Sequence, residues 1–180
     1  MLRGPRLSGV IKQFINECIW PELDYLIIDL PPGTGDIQLT LIQSIPITGA
    51  LIVTTPQDVA VADAVKATNM FKLDSVNIPV IGIVENMAWF TPAELPKNKY
   101  YIFGKGGAQK LAKKYMSAVI AEIPLIQAVR EAGDDGKPAA LGEDTELSTR
   151  FDKMTDRFLQ QVQLRHELFQ PTRKVEIKTQ

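Results

Sequence analysis

At 180 residues the chain has the length of one domain and enough mass to bury a full core. It is 45% hydrophobic and 23% charged, with a formal net charge of −1, and nothing in that balance calls for nucleic acid or a membrane surface. No apolar run approaches the roughly 18 residues of a membrane-spanning helix, Met1-Leu2-Arg3-Gly4-Pro5 opens no signal-peptide segment, and the lone Cys18 excludes an internal disulfide and suggests a reducing compartment, so cytoplasm is expected.

Leu7–Cys18 reads as a helix, with Leu7, Val10, Ile11, Phe14 and Ile15 on one face and Cys18 as a buried or half-buried thiol at its end. Tyr25–Asp29 is an apolar run closed by a carboxylate, the pattern of a strand covered on both faces of a parallel sheet. A helix over Ile37–Ser44 follows, with Asp36 placed to cap it. Ala50–Thr54 reads as a second strand, Val59–Phe71 as a helix and Val80–Glu85 as a third strand ending at Asn86. From Met87 to Tyr101 aromatic residues and prolines break the rhythm. A helix opens at Gly104–Gly107 and runs to Tyr115, a strand covers Ala118–Ile123, and a helical turn or two covers Ile126–Ala132. The last helix spans Thr145–Leu168, with Phe151, Met154, Phe158, Val162 and Arg165 on one face. The only histidine, His166, stands near its C-terminus as an exposed structural residue. The alternation of strand and helix predicts a three-layer α/β domain over 1–168, its sheet mostly parallel and flanked by helices, and a flexible tail over 169–180.

The chemistry concentrates in Tyr25–Asp36, Y-L-I-I-D-L-P-P-G-T-G-D. A carboxylate at the carboxyl end of a buried strand, beside a Gly-rich turn, stands where open α/β sheets bind ligands. Asp29 there could hold magnesium through water, and Gly33 could offer its N–H to a terminal phosphate because no side chain blocks the approach. Equally, Asp29 could simply end a strand, with Pro31–Gly35 an ordinary turn.

The full string D-L-P-P-G-T-G-D resembles the Walker B and switch II segment of the Mrp-type (ApbC-like) iron–sulfur carrier ATPases, in the MinD/ParA group of P-loop proteins. Arg3-Gly4-Pro5, Thr54-Thr55-Pro56-Gln57-Asp58, Val84-Glu85-Asn86-Met87, Ile123-Pro124-Leu125 and Gly133-Asp134-Asp135-Gly136-Lys137-Pro138 extend the likeness over roughly residues 3 to 165. The resemblance implies a P-loop NTPase fold, ATP and magnesium as cofactors, Asp29 as the metal-side carboxylate and Gly33 as the sensor of the γ-phosphate. It also implies that Asn86, with Pro124 and Leu125, frames the adenine base.

Two parts of the family pattern do not occur in these residues. The Walker A loop G-K-G-G-V-G-K-[ST] is missing, as is the switch I segment after it. Gly104-Lys105-Gly106-Gly107 is no substitute, because Ala108-Gln109-Lys110-Leu111 follows in place of a second G-K and a hydroxyl, so it reads as a helix-start turn. The loop after V-E-N-M also lacks the C-x-x-C pair that holds a cluster between two subunits, and Cys18 lies on another element. The expected function is that of an Mrp-type ATP-binding protein of iron–sulfur cluster assembly or transfer, inactive as an ATPase by itself and carrying no cluster. The alternatives are a non-catalytic partner-binding remnant and a MinD/ParA-type positioning ATPase. The expected partners are a second copy, a Walker A-containing chain or iron–sulfur assembly proteins, with neither nucleic acid nor membrane. Without a Walker A strand beside it, Tyr25–Asp29 is expected to present an unpaired apolar edge that weakens the isolated domain and favours self-association.

Overall fold

The computed structural model describes residues 4–31, 35–142 and 145–174. In chain order the elements are α1 (Gly4–Asn16), α2 (Asp36–Ser44), β1 (Ala50–Thr54), α3 (Asp58–Phe71), β2 (Val80–Glu85), α4 (Gly107–Tyr115), β3 (Val119–Glu122), α5 (Gln127–Asp134), a 3₁₀ turn at Ala139–Leu141 and α6 (Thr145–Leu168). The three strands form one sheet in the order β1-β2-β3, and both pairings are parallel. Each parallel step is bridged by a helix, as the chain reversal requires.

The strands form because each is a short apolar run stopped by Pro, Gly or Asn, and each finds a neighbour. Along β1 burial alternates: Ala50, Ile52 and Thr54 point inward, whereas Leu51 and Val53 face solvent. The central β2 is covered on both faces, its last five residues all buried. On one side, Ile52 and Ile83 meet Ala64, Met70 and Phe71 of α3 and Leu111 and Tyr115 of α4, with Ile42 of α2 at the edge. On the other side, Val84, Ile120 and Ile123 meet Met154 and Phe158 of α6. The sheet is therefore sandwiched between α3/α4 and α6, and α6 spans β2 and β3 but leaves the outer face of β1 bare.

Tyr25–Asp29 departs from the strand expectation. The segment pairs with no strand, and Ile27 is 79% exposed. A strand exists only as half of a ladder, and among the described residues no strand lies beside this run. The chain is anchored again just after it, where Leu30 packs on the main core and the Gln38 side-chain amide donates to the Pro31 carbonyl at 2.8 Å. Cys18 is exposed rather than buried, since α1 ends at Asn16 and the thiol falls beyond it. Gly35, not Asp36, occupies the N-cap of α2.

Two features fix the rest. Arg165, buried on α6, donates to the carbonyls of Thr48 (2.9 Å), Phe169 (3.4 Å) and Gln170 (2.9 Å) and to the Thr172 hydroxyl (2.6 Å). This clamp holds residues 169–172 against the loop before β1, where the sequence suggested a loose tail. The Gly104–Gly107 segment opens α4 as a turn, with Gly104 and Gly106 at positive φ (90° and 81°). Gly107 presses on the backbone after β1: a Cβ there would stand 2.9 Å from Pro56 Cα and 3.0 Å from its carbonyl oxygen. Gly107→Ala is expected to destabilise by about 1–3 kcal/mol through overpacking, seen as a lower denaturant midpoint with an unchanged m-value. The Asp58–Lys110 ion pair (2.9 Å) ties the starts of α3 and α4 on the surface. The Lys110 hydrogen bond first, and its charge second, hold the Asp58 carboxyl below the usual carboxylate range.

Candidate functional site

Because all three strands are parallel, their carboxyl ends gather at one edge, where this architecture places ligands. The Asn86 N–H donates to the Thr54 carbonyl at 2.7 Å, fastening the end of β2 to that of β1. The Ile123 N–H donates to the Glu85 carbonyl (2.8 Å) and the Ala88 N–H to the Ile123 carbonyl (2.9 Å), so Asn86 is bracketed by the segment running into Pro124 and Leu125. Leu125 in turn donates its N–H to the Trp89 carbonyl at 2.7 Å. The structure thus brings Asn86, Pro124 and Leu125 together; Pro124 is buried, and Asn86 and Leu125 are half-buried.

The Asn86 side chain is set by its own turn. Its Oδ1 accepts the Met87 N–H at 2.9 Å, and Met87 takes a positive φ of 54°. The Asn86 amide N–H groups take no partner among the described residues, which leaves two donors at a half-buried edge beside a proline. That combination fits the hydrogen-bonding edge of a planar heterocycle.

The phosphate and metal end is not assembled in the same way. Gly33 lies outside the described residues. Asp29 is exposed in the unpaired segment, and its carboxylate makes no hydrogen bond or ion pair among the described residues. Those residues contain no group of three or more His, Cys, Asp and Glu side chains able to hold a metal. Magnesium held together with a nucleotide needs only one or two carboxylates beside water and phosphate oxygens, and Asp29, exposed and unpaired among the described residues, is free to supply one.

Two residues matter here that the sequence did not single out. Glu85 is 2% exposed, and its Oε2 accepts the Ala108 N–H at 2.7 Å. The buried carboxylate thereby caps the amino end of α4, where the helix dipole favours it, and locks the residue preceding Asn86. Only its place in V-E-N-M hinted at this, since the acceptor it provides becomes visible when α4 returns to the sheet. At the end of β1, the buried Thr55 hydroxyl has no partner among the described residues, a polar group left over at the same edge.

Beyond Asn86 the chain forms a closed hairpin. Phe90 and Tyr100 exchange N–H···O bonds of 2.8 Å in each direction. Trp89 is buried beneath it, with the Lys99 ammonium 3.9 Å from its ring centre and the Arg150 guanidinium at 5.3 Å. Among the described residues, no helix is long and apolar enough to cross a membrane.

Residues 1–159 match the family model described as ParA, the NUBPL iron-transfer P-loop NTPases. The chain is 49% identical over 156 residues to a Haemophilus influenzae protein named iron-sulfur cluster carrier protein, covering 86% of this chain and 41% of that one. A protein of the same name from Escherichia coli is 45% identical over 161 residues, covering 89% of this chain and 43% of its own. The chain therefore spans less than half the length of these relatives. Among solved structures, a nucleotide-binding protein from Archaeoglobus fulgidus in complex with ADP superposes with a TM-score of 0.66 at 41% identity, over 77% of this chain and 56% of that one. The Pyrococcus furiosus cell division ATPase MinD superposes with a TM-score of 0.59 at 21% identity, over 88% and 59%, a likeness of fold alone.

Proposed function

Because this chain belongs to the NUBPL-type iron-transfer P-loop NTPases of the ParA group, we propose that it supplies the base-binding half of an ATP site in a cytoplasmic iron–sulfur carrier. The observation that carries the reading is the conjunction of Asn86, Pro124 and Leu125 at the carboxyl ends of β2 and β3, with two amide donors of Asn86 unspent. The ADP bound by the Archaeoglobus fulgidus relative supports a nucleotide as the ligand. In this reading Asn86 donates to the adenine edge, and Pro124 and Leu125 give the ring an apolar wall. Asp29 and Gly33 take up their roles toward water-bound magnesium and the γ-phosphate only when a phosphate-binding strand and loop are placed beside Tyr25–Asp29. A Walker A strand and loop would complete the site, whether in the same polypeptide or in a partner chain, and the proposed assembly is a dimer.

The test is nucleotide binding by this chain mixed with a fragment carrying a GKGGVGKS loop and its strand. The mixture is expected to bind ATP, and Asn86→Ala to weaken binding by about tenfold, the loss of one to two hydrogen bonds in a half-buried site. Hydrolysis is expected of the mixture and not of this chain alone, since phosphoryl transfer rests on positioning and charge that Walker A supplies. A mixture that binds no nucleotide, or that binds it equally well with Asn86→Ala, would overturn the assignment.

A further inference from the structure

We propose that the groove between α6 and the outer edge of β3 is a docking site for an extended, acidic peptide segment of a partner protein. The groove has a volume of about 390 Å³ and runs along the whole of β3, with Trp89 at one end and α6 as its wall. β3 is the terminal strand, and no strand pairs with its outer side among the described residues. An edge of this kind can accept the main chain of an added segment, which gives affinity without sequence preference.

The charge of the groove selects the segment. Arg150, Lys153 and Arg157 recur at intervals of three and four along α6, so one face presents all of them to the groove. Lys153 has no hydrogen bond or ion pair among the described residues. Arg157 uses one guanidinium nitrogen on the Ile120 carbonyl (3.2 Å), and Arg150 pairs with Glu146 (2.7 Å) while its buried Nε has no partner among the described residues. Lys99 adds a further cation over Trp89. Against them the groove offers the Glu122 carboxylate, which already accepts from the Gln109 side chain. A segment with carboxylates on alternate residues would place them over Lys153 and Arg157 while its backbone follows β3, and the Trp89 rim would receive an apolar residue. This occupant does not depend on the nucleotide reading, because none of Asn86, Pro124, Leu125 and Asp29 lines the groove.

The experiment is calorimetric titration of the full chain with an eight-residue Glu-Val repeat peptide, its Gln-Val counterpart and inorganic phosphate, at low and at moderate salt. The acidic peptide is expected to bind saturably and to weaken with salt, and the neutral peptide to bind at least about tenfold less tightly. Lys153→Glu reverses an exposed charge on the groove wall and should reduce acidic-peptide affinity by about tenfold or more, with Lys153→Arg restoring it. Equal binding of both peptides, or an affinity indifferent to Lys153→Glu, would overturn the proposal. So would phosphate displacing the peptide at equal concentration, which would mark the groove as a small-anion site.

Discussion

Replacing Arg165 by alanine is expected to lower stability by about 2–4 kcal/mol, among the largest losses open to a single substitution in this chain. Its guanidinium is buried, and its partners, the Thr48, Phe169 and Gln170 carbonyls and the Thr172 hydroxyl, are all neutral oxygens. The fork is what matches them, and the negative end of the α6 dipole favours the charge, which has no ion-pair partner among the described residues. Truncation leaves these acceptors without a donor and frees residues 169–172 from the loop before β1. Lysine keeps the charge but lacks the planar fork, so Arg165→Lys should recover little. Urea denaturation followed by circular dichroism would show the drop in midpoint, and thermal scans a fall on the order of 10 °C. A midpoint unchanged in Arg165→Ala would mean that the clamp holds nothing.

The second large effect is a gain. A strand supplied to the open side of β1 is expected to raise stability by about 2.7 kcal/mol when the complementing fragment is present at a hundredfold its dissociation constant, which is on the order of 5–10 °C for a chain of this size. The ground for it is the bare face of Leu51 and Val53, the latter 59% exposed, together with the unpaired apolar run Tyr25–Ile28. Alone, the chain is expected to self-associate with rising concentration through the same surfaces. Val53→Lys places a charge on that face without disturbing the buried side of β1, and should abolish both self-association and the thermal gain. A monodisperse monomer with a sharp, high-temperature transition, indifferent to the fragment, would show the edge to be closed in solution.

Where the sequence was legible, it was so because a local pattern also had its tertiary partner. Ala50–Thr54, Val80–Glu85 and Val119–Glu122 are apolar runs stopped by Pro, Gly or Asn, and each lies beside another. Tyr25–Asp29 carries the same pattern and does not become a strand, because hydrogen-bond pairing is a property of two segments and a periodicity reads only one. The apolar face of α6 was readable down to Arg165, but the reason for a buried arginine there lay in carbonyls more than a hundred residues upstream and in the residues just after the helix. Asn86, Pro124 and Leu125 were reached through motif resemblance, and the topology gathers them. Glu85 went unnoticed as an actor since its single bond crosses to an element 23 residues on.

The placement of the two tryptophans has an optical consequence. Trp89 is sealed beneath the hairpin between Lys99 and Arg150, whereas Trp20 stands half in solvent on the unpaired amino-terminal stretch and donates its indole N–H to the Phe14 carbonyl at 3.2 Å. The emission of the chain is therefore expected to be a sum of a blue-shifted, quencher-resistant component from the carboxyl edge of the sheet and a red-shifted, iodide-sensitive one from residues that no strand holds among those described. Each half of the molecule carries its own lamp, so a Trp20→Phe variant isolates the first and a Trp89→Phe variant the second. Ordering of the amino-terminal stretch by an added strand can then be watched separately from events at Asn86.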